Sequence, residues 1–159
     1  MANAQKDVEF LDPGDLHDGE LHLTLANKQA ADLRRGWVAA YSFTMRHADT
    51  REAMGNIQLR LSESYFIRMY AGHIGYRVEP PYRGKRLASR SCRLLLPLAQ
   101  RHALQPLWIT CNPDNLASRR SCELAGGELV EIVDVPQYTQ LYQRGDRQKC
   151  RYRFDLTSD

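Results

Sequence analysis

One stretch of this chain has the residue types and spacing to bind a phosphate group. Residues 80–113 contain no aspartate or glutamate, and Arg83, Lys85 and Arg86 stand where a strand gives way to a predicted helix. The first backbone N–H groups of a helix have no internal partners and lie at the positive end of its dipole, and flanking basic side chains add full charges. The stretch therefore predicts a site for a phosphate-bearing ligand.

Two other phosphate motifs fit this stretch poorly. A P-loop needs a glycine five residues before Gly84 and a serine or threonine after Lys85, but Glu79 and Arg86 occupy those positions. The three-glycine dinucleotide motif is absent as well. A solvated helix face is the simplest explanation for the arginines further along the predicted helix, which are Arg90, Arg93 and Arg101.

The composition bounds the class of protein. With 159 residues, 43% of them hydrophobic and 26% charged, the chain fits one domain over residues 1–159, with residues 1–18 as a loose arm. The net charge of +3 does not by itself suggest nucleic acid. No apolar run has the length of a signal peptide or a membrane span, so we expect a soluble cytoplasmic protein with no membrane partner. The four cysteines are widely spaced, which favours free buried thiols over disulfides or a metal site.

Hydrophobic periodicity predicts the elements around the phosphate site. Helices are expected over residues 87–103 and 116–125, with up to two helical turns in 27–35 and a short helix or turn in 64–71. Pro97 should kink or partly break the longest helix, since proline removes a backbone hydrogen bond. The order of elements indicates an α+β (mixed α/β) domain around one sheet. The expected strands cover residues 21–25, 37–46, 55–61, 72–78, 107–111, 129–135 and 150–156.

Two motifs together resemble a known family. Residues 72–88 resemble the strand, loop and helix start that bind acetyl-CoA in the GNAT N-acetyltransferases. Residues 112–120, followed by Ala125, Gly126 and Gly127, are similar to the Asn-x-x-Ser helix of that family, which lies beside the cofactor. Either motif alone would be weak, but the pair in this order is fairly specific and covers about the central third of the chain.

The resemblance implies both a fold and a reaction. The fold is a central mixed, mostly antiparallel sheet of about six to seven strands flanked by helices, with reduced N-terminal helices because the segment before Trp37 is short. The reaction is direct attack of a primary amine on acetyl-CoA, the co-substrate. The acceptor could be a small molecule or a peptide, and its expected lining, residues 11–35 and 136–149, contains no readable motif. Dimers are common in the family, so a homodimer is an open alternative.

The resemblance also implies which residues bind the cofactor. The family pattern places a glycine three residues after the first arginine, but Arg86 stands there, between the matching Arg83 and Ala88. A Cβ atom at this position narrows the approach to the pyrophosphate and is unfavourable if the backbone has positive φ, although the guanidinium could add a phosphate contact. The implied cofactor residues are Tyr76, Arg77, Val78, Arg83, Gly84, Lys85, Arg86, Leu87, Ala88, Ser89, Asn115 and Ser118.

Residues for proton transfer are less evident. Many members of the family use a tyrosine four residues after the helix serine, where this chain has Cys122, which we interpret as a packing residue. His73 on the cofactor strand could be the base for the amine, although a structural role is equally consistent. Tyr142 could reach the acceptor, as could Glu63 or Tyr65. Positioning alone can also supply much of the rate, and no metal is expected.

Two alternative functions remain open at this point. A GNAT-like domain that binds CoA without catalysis would be consistent with Arg86 and Cys122. A basic nucleic-acid-binding module is suggested by the C-terminal cations, but their alternation with apolar residues favours a strand with a solvated basic face. These cations are Arg144, Arg147, Lys149, Arg151 and Arg153.

Overall fold

Eight strands form two antiparallel sheets, which meet between the fifth and sixth strands. The computed structural model describes residues 8–157. The second sheet has the order β6-β8-β7, so its last strand in sequence is its central one. The first sheet is ordered as in the chain and contains β1 (Leu16–Asp18), β2 (Leu21–Gln29), β3 (Ala40–His47), β4 (Ala53–Arg60) and β5 (Ile74–Val78). The second contains β6 (Leu107–Cys111), β7 (Glu128–Asp134) and β8 (Gln148–Phe154).

The first helix connects the two sheets, whereas the next two connect strands of the second sheet. α1 (Leu87–Arg101) follows β5, α2 (Leu116–Leu124) follows β6, and the short α3 (Gln140–Gln143) precedes β8. A π-helical turn, Ile67–Ala71, and a 3-10 turn, Pro80–Tyr82, flank β5. Asn115 is the N-cap of α2, and its side-chain oxygen accepts a hydrogen bond from the Ser118 N–H at 3.1 Å.

The main core lies between the first sheet and α1. Period-two alternation in β3 buries Tyr41, Phe43 and Met45 almost completely, and Leu95 of α1 packs into the same cluster. The Tyr41 hydroxyl is satisfied by the Leu11 N–H at 2.7 Å and by the His102 ring at 2.7 Å. A buried phenol thus connects the N-terminal segment, the sheet and the end of α1.

The α+β fold class is confirmed, but the N-terminal half differs from the expectation in two respects. Leu16–Asp18 forms an added strand that pairs with β2, so residues 8–157 contain eight strands and the loose arm is shorter than residues 1–18. Residues 1–7 lie outside the described part of the chain, and the single-domain assignment stays a prediction. Phe10 packs edge-on against Tyr41 at 5.1 Å between ring centroids, so the preceding segment is also held.

The expected helical turns in residues 27–35 were wrong. β2 continues to Gln29, and Asp32 and Trp37 exchange backbone hydrogen bonds across a tight turn. Pairing with β3 overrides the helix propensity of this alanine-rich and lysine-containing segment. Within residues 8–157, the connection from β2 to β3 therefore contains no helix.

Three further expectations can be compared with the structure. α1 is not broken at Pro97, which lies on its exposed face where water can bind the freed carbonyl of Arg93. All four cysteines are free and buried, as predicted. Arg90 is not simply solvated, because its guanidinium bonds Asp18 and Glu20, each at 2.8 Å.

No helix in the described chain has the length and apolar character needed to cross a membrane.

The C-terminal strand also differs from the expected solvated basic face. Lys149 and Arg151 are 6% and 5% exposed. β8 is the central strand of its sheet, and the π-helical turn covers its outer face through the Arg68 carbonyl, which accepts a hydrogen bond from Arg151 at 3.0 Å. The Arg151 guanidinium also stacks 3.8 Å from the Trp108 ring centroid and pairs with Glu131. Two of the five cations are therefore internal, whereas Arg144, Arg147 and Arg153 are exposed, so β8 does not present a continuous basic face for nucleic acid.

Candidate active site

The loop before α1 turns through two residues with positive φ. Gly84 has φ 91°, and Arg86, the residue before α1, has φ 59° and ψ 28°, which is left-handed backbone. A non-glycine residue in this conformation costs about 1 kcal/mol. The position where the family has glycine thus requires the conformation that glycine adopts most easily. Within the described chain, no side chain caps the first N–H groups of α1, and its first turn contains no acid.

A cavity of about 430 Å³ opens at this helix start. Ten of the twelve residues assigned to the cofactor line it, with Tyr82, Ala117 and Ser121 added by the structure. Lys85 and Ser89 do not line it: the Ser89 hydroxyl is buried and donates to the Arg86 carbonyl at 3.1 Å, which supports the loop from inside. The ten are Tyr76, Arg77, Val78, Arg83, Gly84, Arg86, Leu87, Ala88, Asn115 and Ser118. We call this space the helix-start cavity.

A second cavity of about 490 Å³ adjoins the first, and we call it the β4 cavity. The two share Tyr76, Arg77, Asn115 and Ser118, and no aspartate or glutamate of residues 8–157 lines either one. The other residues of the β4 cavity are Asn56, Gln58, Arg60, Tyr70, Ala71, Ile74, Gly75, Thr110, Cys111, Asn112, Leu141, Arg144 and Lys149.

Tyr76 lies at the junction of the two cavities. Its hydroxyl and that of Ser118 are 2.6 Å apart, so a hydrogen bond connects β5 to α2 where the two cavities meet. Burial raises the pKa of Tyr76 above the usual range of a phenol, which keeps the hydroxyl protonated at neutral pH. The sequence assigned Tyr76 to the cofactor but gave no sign that its hydroxyl would stand between the cavities.

His73 connects the two sheets and lines neither cavity. Its N–H donates to the Trp108 carbonyl at 2.7 Å, and its ring Nδ1 accepts from the Trp108 N–H at 2.9 Å. The side chain is fully buried, and burial lowers its pKa to about 4. Because Nδ1 accepts the hydrogen bond from the Trp108 N–H, the neutral ring carries its proton on Nε2. This nitrogen lies 3.7 Å from a carboxylate oxygen of Glu63. The assignment of His73 as a base stays a prediction, without support from this position.

The other candidates for proton transfer also lie outside the cavities. Tyr142 stacks on the Arg147 guanidinium at 3.7 Å, although the neighbouring Leu141 lines the β4 cavity. Tyr65 is largely exposed to solvent, and Cys122 is only 1% exposed, as expected of a packing residue. The catalytic assignment of Tyr142 therefore also stays a prediction.

Sequence reasoning missed the polar face of β4. Ile57 and Leu59 point into the core. Asn56, Gln58 and Arg60 alternate with them and therefore point to the opposite face, where they line the β4 cavity. Polar residues that alternate with core residues on an internal strand were the available signal. The expected acceptor lining from residues 136–149 does contribute to this cavity, whereas residues 11–35 do not.

Comparison with known proteins adds a family to this geometry. The sequence matches the model of the acetyltransferase (GNAT) domain over residues 2–128, which is most of the chain. Among curated proteins, none is similar enough in sequence to count as a relative.

Several solved structures with a similar fold are acetyltransferases. RimL, a ribosomal L7/L12 alpha-N-protein acetyltransferase, is 20% identical with a TM-score of 0.57, over 79% of this chain and 74% of that chain. A ribosomal-protein-S5-alanine acetyltransferase from Vibrio fischeri is 16% identical with a TM-score of 0.59, over 75% and 63% of the two chains. The microcin C7 self-immunity acetyltransferase MccE, solved with acetyl-CoA and AMP, is 14% identical with a TM-score of 0.56, over 73% and 61%. At these identities the likeness concerns the fold.

Proposed function

Because this chain belongs to the GNAT acetyltransferase family, we propose that it transfers the acetyl group of acetyl-CoA, the co-substrate of that family, to a primary amine. The observation that carries the proposal is the pair of adjoining cavities that meet at Tyr76. One cavity offers an uncapped helix start and the other offers space for a second reactant. A transferase that joins two substrates needs this arrangement.

The residues of the helix-start cavity fit the chemistry of CoA. The first N–H groups of α1 lie at the N-terminal end of the helix, which favours negative charge. Arg83 and Arg86 add two guanidinium groups there. Gly84 leaves open space, because a Cβ atom placed there would meet no other atom within 4 Å. We propose that these groups hold the pyrophosphate.

The adjoining cavity would place the amine beside the thioester. Bound acetyl-CoA supplies an acyl carbon that can accept the amine nitrogen: a C–N bond forms, the C–S bond breaks, and the amine loses a proton to solvent. We propose that the Tyr76 hydroxyl, which stands at the junction of the cavities, donates its proton to the departing sulfur and then takes a proton back from solvent. Ser118, 2.6 Å away, would orient this hydroxyl.

Amine-dependent thiol release from acetyl-CoA tests the proposed activity. We expect release with at least one member of a broad amine panel, together with a product that mass spectrometry shows to carry one added acetyl group. In a thermal melt, acetyl-CoA and CoA should raise the melting temperature, whereas NADH and ATP should not. A melt that does not respond to CoA would contradict the proposal. Stabilisation by CoA with no release across the panel would favour the catalytically silent alternative.

The role of Tyr76 has its own test, with a matched control. Tyr76→Phe should lower kcat by about 100-fold, as removal of a general acid commonly does, while the KM for acetyl-CoA changes little. Tyr82→Phe removes a second hydroxyl from the helix-start cavity, but that hydroxyl bonds Glu52 at 2.6 Å at the surface, so kcat should be retained. Equal kcat values for the two variants would exclude Tyr76 as the acid.

A further inference from the structure

We infer that the acceptor amine carries a negatively charged group, a carboxylate or a phosphate, which Arg60, Arg144 and Lys149 bind in the β4 cavity. The inference rests on the proposed function, because it specifies the class of acceptor for that reaction. Its basis is the charge of this cavity, which is positive where the second substrate would enter.

Arg60 is a partly buried cation with no carboxylate partner within 4.0 Å among residues 8–157. Its Nη1 donates to the carbonyls of Ala71 at 3.1 Å and Gly72 at 3.0 Å, which fixes the guanidinium but does not neutralise it. Withdrawing a charge from water costs free energy unless an opposite charge compensates. An anionic ligand in the cavity would supply that charge.

The fold leaves room for this guanidinium. Gly75 of β5 lies directly beside it, and a Cβ atom at Gly75 would come within 2.7 Å of Arg60 Nη2. Any larger residue at position 75 would therefore displace the Arg60 guanidinium from its position against β5. Gly75 thus leaves the space in which the Arg60 guanidinium lines the β4 cavity.

Arg144 and Lys149 form the second part of the cationic lining. Both bind the same carboxylate oxygen of Asp146, at 3.0 Å and 3.2 Å, and Asn112 donates to the other oxygen at 2.9 Å. Burial alone would raise the pKa of Asp146, but these three partners outweigh it and lower the pKa, so the carboxylate stays ionised. One negative charge is thus shared by two cations, and Asp146 itself does not line the cavity.

The charges facing the cavity have two consequences for an amine. A polycationic acceptor such as a polyamine would meet repulsion from Arg60, whereas an amine that also carries an anionic group would be attracted and oriented. Nearby cations also lower the pKa of the bound amine and so favour the neutral form that attacks. This effect would reduce the need for a dedicated base. Arg77 lines both cavities, so its charge is not specific to the acceptor.

Binding to the CoA-saturated protein tests the inference independently of turnover. Calorimetry would compare amines that differ only in an anionic group: phenylalanine against its α-amide for the carboxylate, and phosphoethanolamine against ethanolamine for the phosphate. Spermidine and kanamycin serve as cationic comparisons. Saturating CoA prevents the ligands from occupying the pyrophosphate site. We expect the anionic member of at least one pair to bind about tenfold more tightly than its neutral partner.

Variants assign the effect to the named side chains. Arg144→Gln, at an exposed position, should remove most of the tenfold preference, and Arg60→Gln should do the same, while Arg60→Lys retains part of it. Arg93→Gln, on the exposed face of α1, should leave the preference intact. If Arg60→Gln fails to fold, Arg144→Gln still decides the question, because Arg144 lies at the surface.

The outcomes separate this inference from the proposed function. Tighter binding by neutral or cationic amines, an undiminished preference in Arg144→Gln, or no binding by any anionic member would overturn the inference while CoA binding stands. Binding of the anionic member without acetylation of any amine would support the anion site and count against the proposed transferase activity.

Discussion

The helix-start cavity and the β4 cavity adjoin each other but are built in different ways. In the first, the groups that we propose to bind phosphate come from one continuous segment, residues 83–88, and include the uncapped backbone N–H groups of α1. The second takes its charges from side chains on β4, near α3 and on β8, which are far apart in sequence. A shared cofactor can be bound by local backbone geometry, whereas an acceptor is distinguished by side chains that only the complete fold brings together.

The largest expected effect comes from reversing one charge in the helix-start cavity alone. Arg83→Glu should weaken the binding of acetyl-CoA about 100-fold, because a carboxylate would face the pyrophosphate in place of a guanidinium. Calorimetry with CoA measures this change. Arg93→Glu, with the same charge change on an exposed turn of α1, should bind CoA normally. Equal weakening by both variants would mean that the overall charge matters rather than this cavity.

A second prediction concerns His73, which precedes β5 and joins it to β6 through two hydrogen bonds with Trp108. Its pKa is lowered from 6.5 to about 4 by burial, so between these pH values the unfolded chain binds more protons than the folded one. The contribution of His73 to stability should therefore be complete above about pH 6.5 and fall by about 3 kcal/mol on acidification to about pH 4. Chemical denaturation at several pH values measures this loss.

The His73→Asn variant isolates that contribution. Asparagine can still accept a hydrogen bond from the Trp108 N–H but does not titrate, so the variant should be less dependent on pH over this range. The same variant decides between the two interpretations of His73. If it acts as the base, kcat should fall and the acidic limb of the pH–rate profile should disappear, whereas a structural role changes stability and leaves that limb unchanged.

The smallest expected effect concerns strain in the phosphate loop. Arg86→Gly should stabilise the fold by about 0.5–1 kcal/mol by relieving the left-handed backbone at φ 59°. Ala103→Gly is the matched control, because Ala103 also has φ 59° but lies at the far end of α1. A similar rise in melting temperature for both, with weaker CoA binding only in Arg86→Gly, would show that the Arg86 side chain contributes a phosphate contact. Unchanged CoA binding would limit Arg86 to its backbone role.

The sequence predicted the helix-start cavity far better than the β4 cavity. Arg83, Gly84 and Ala88 lie in one motif, whose chemistry follows from position at a helix start. The left-handed backbone at Arg86 could be suspected from the family pattern, but only the coordinates show it. The order of strands from Leu21 onward also followed from alternation, whereas Leu16–Asp18 was too short to give a periodic signal.

The acceptor side could not be predicted because its residues contact through tertiary structure. Arg60 precedes Arg144 by more than half of the chain, and the role of Gly75 beside it depends on the pairing of β4 with β5. Lys149 and Arg151 were expected on a solvated face because alternation does not reveal that a strand is covered on both sides. The homodimer stays a prediction that sedimentation can test.

The most direct test of the division between the two cavities is a comparison of KM values in the thiol-release assay, with the best amine of the panel. Arg83→Glu should raise the KM for acetyl-CoA and leave the KM for the amine nearly unchanged, whereas Arg60→Gln should raise the KM for the amine and leave that for acetyl-CoA nearly unchanged. The account would be contradicted if each variant raised both values alike, or if neither variant changed the value assigned to it.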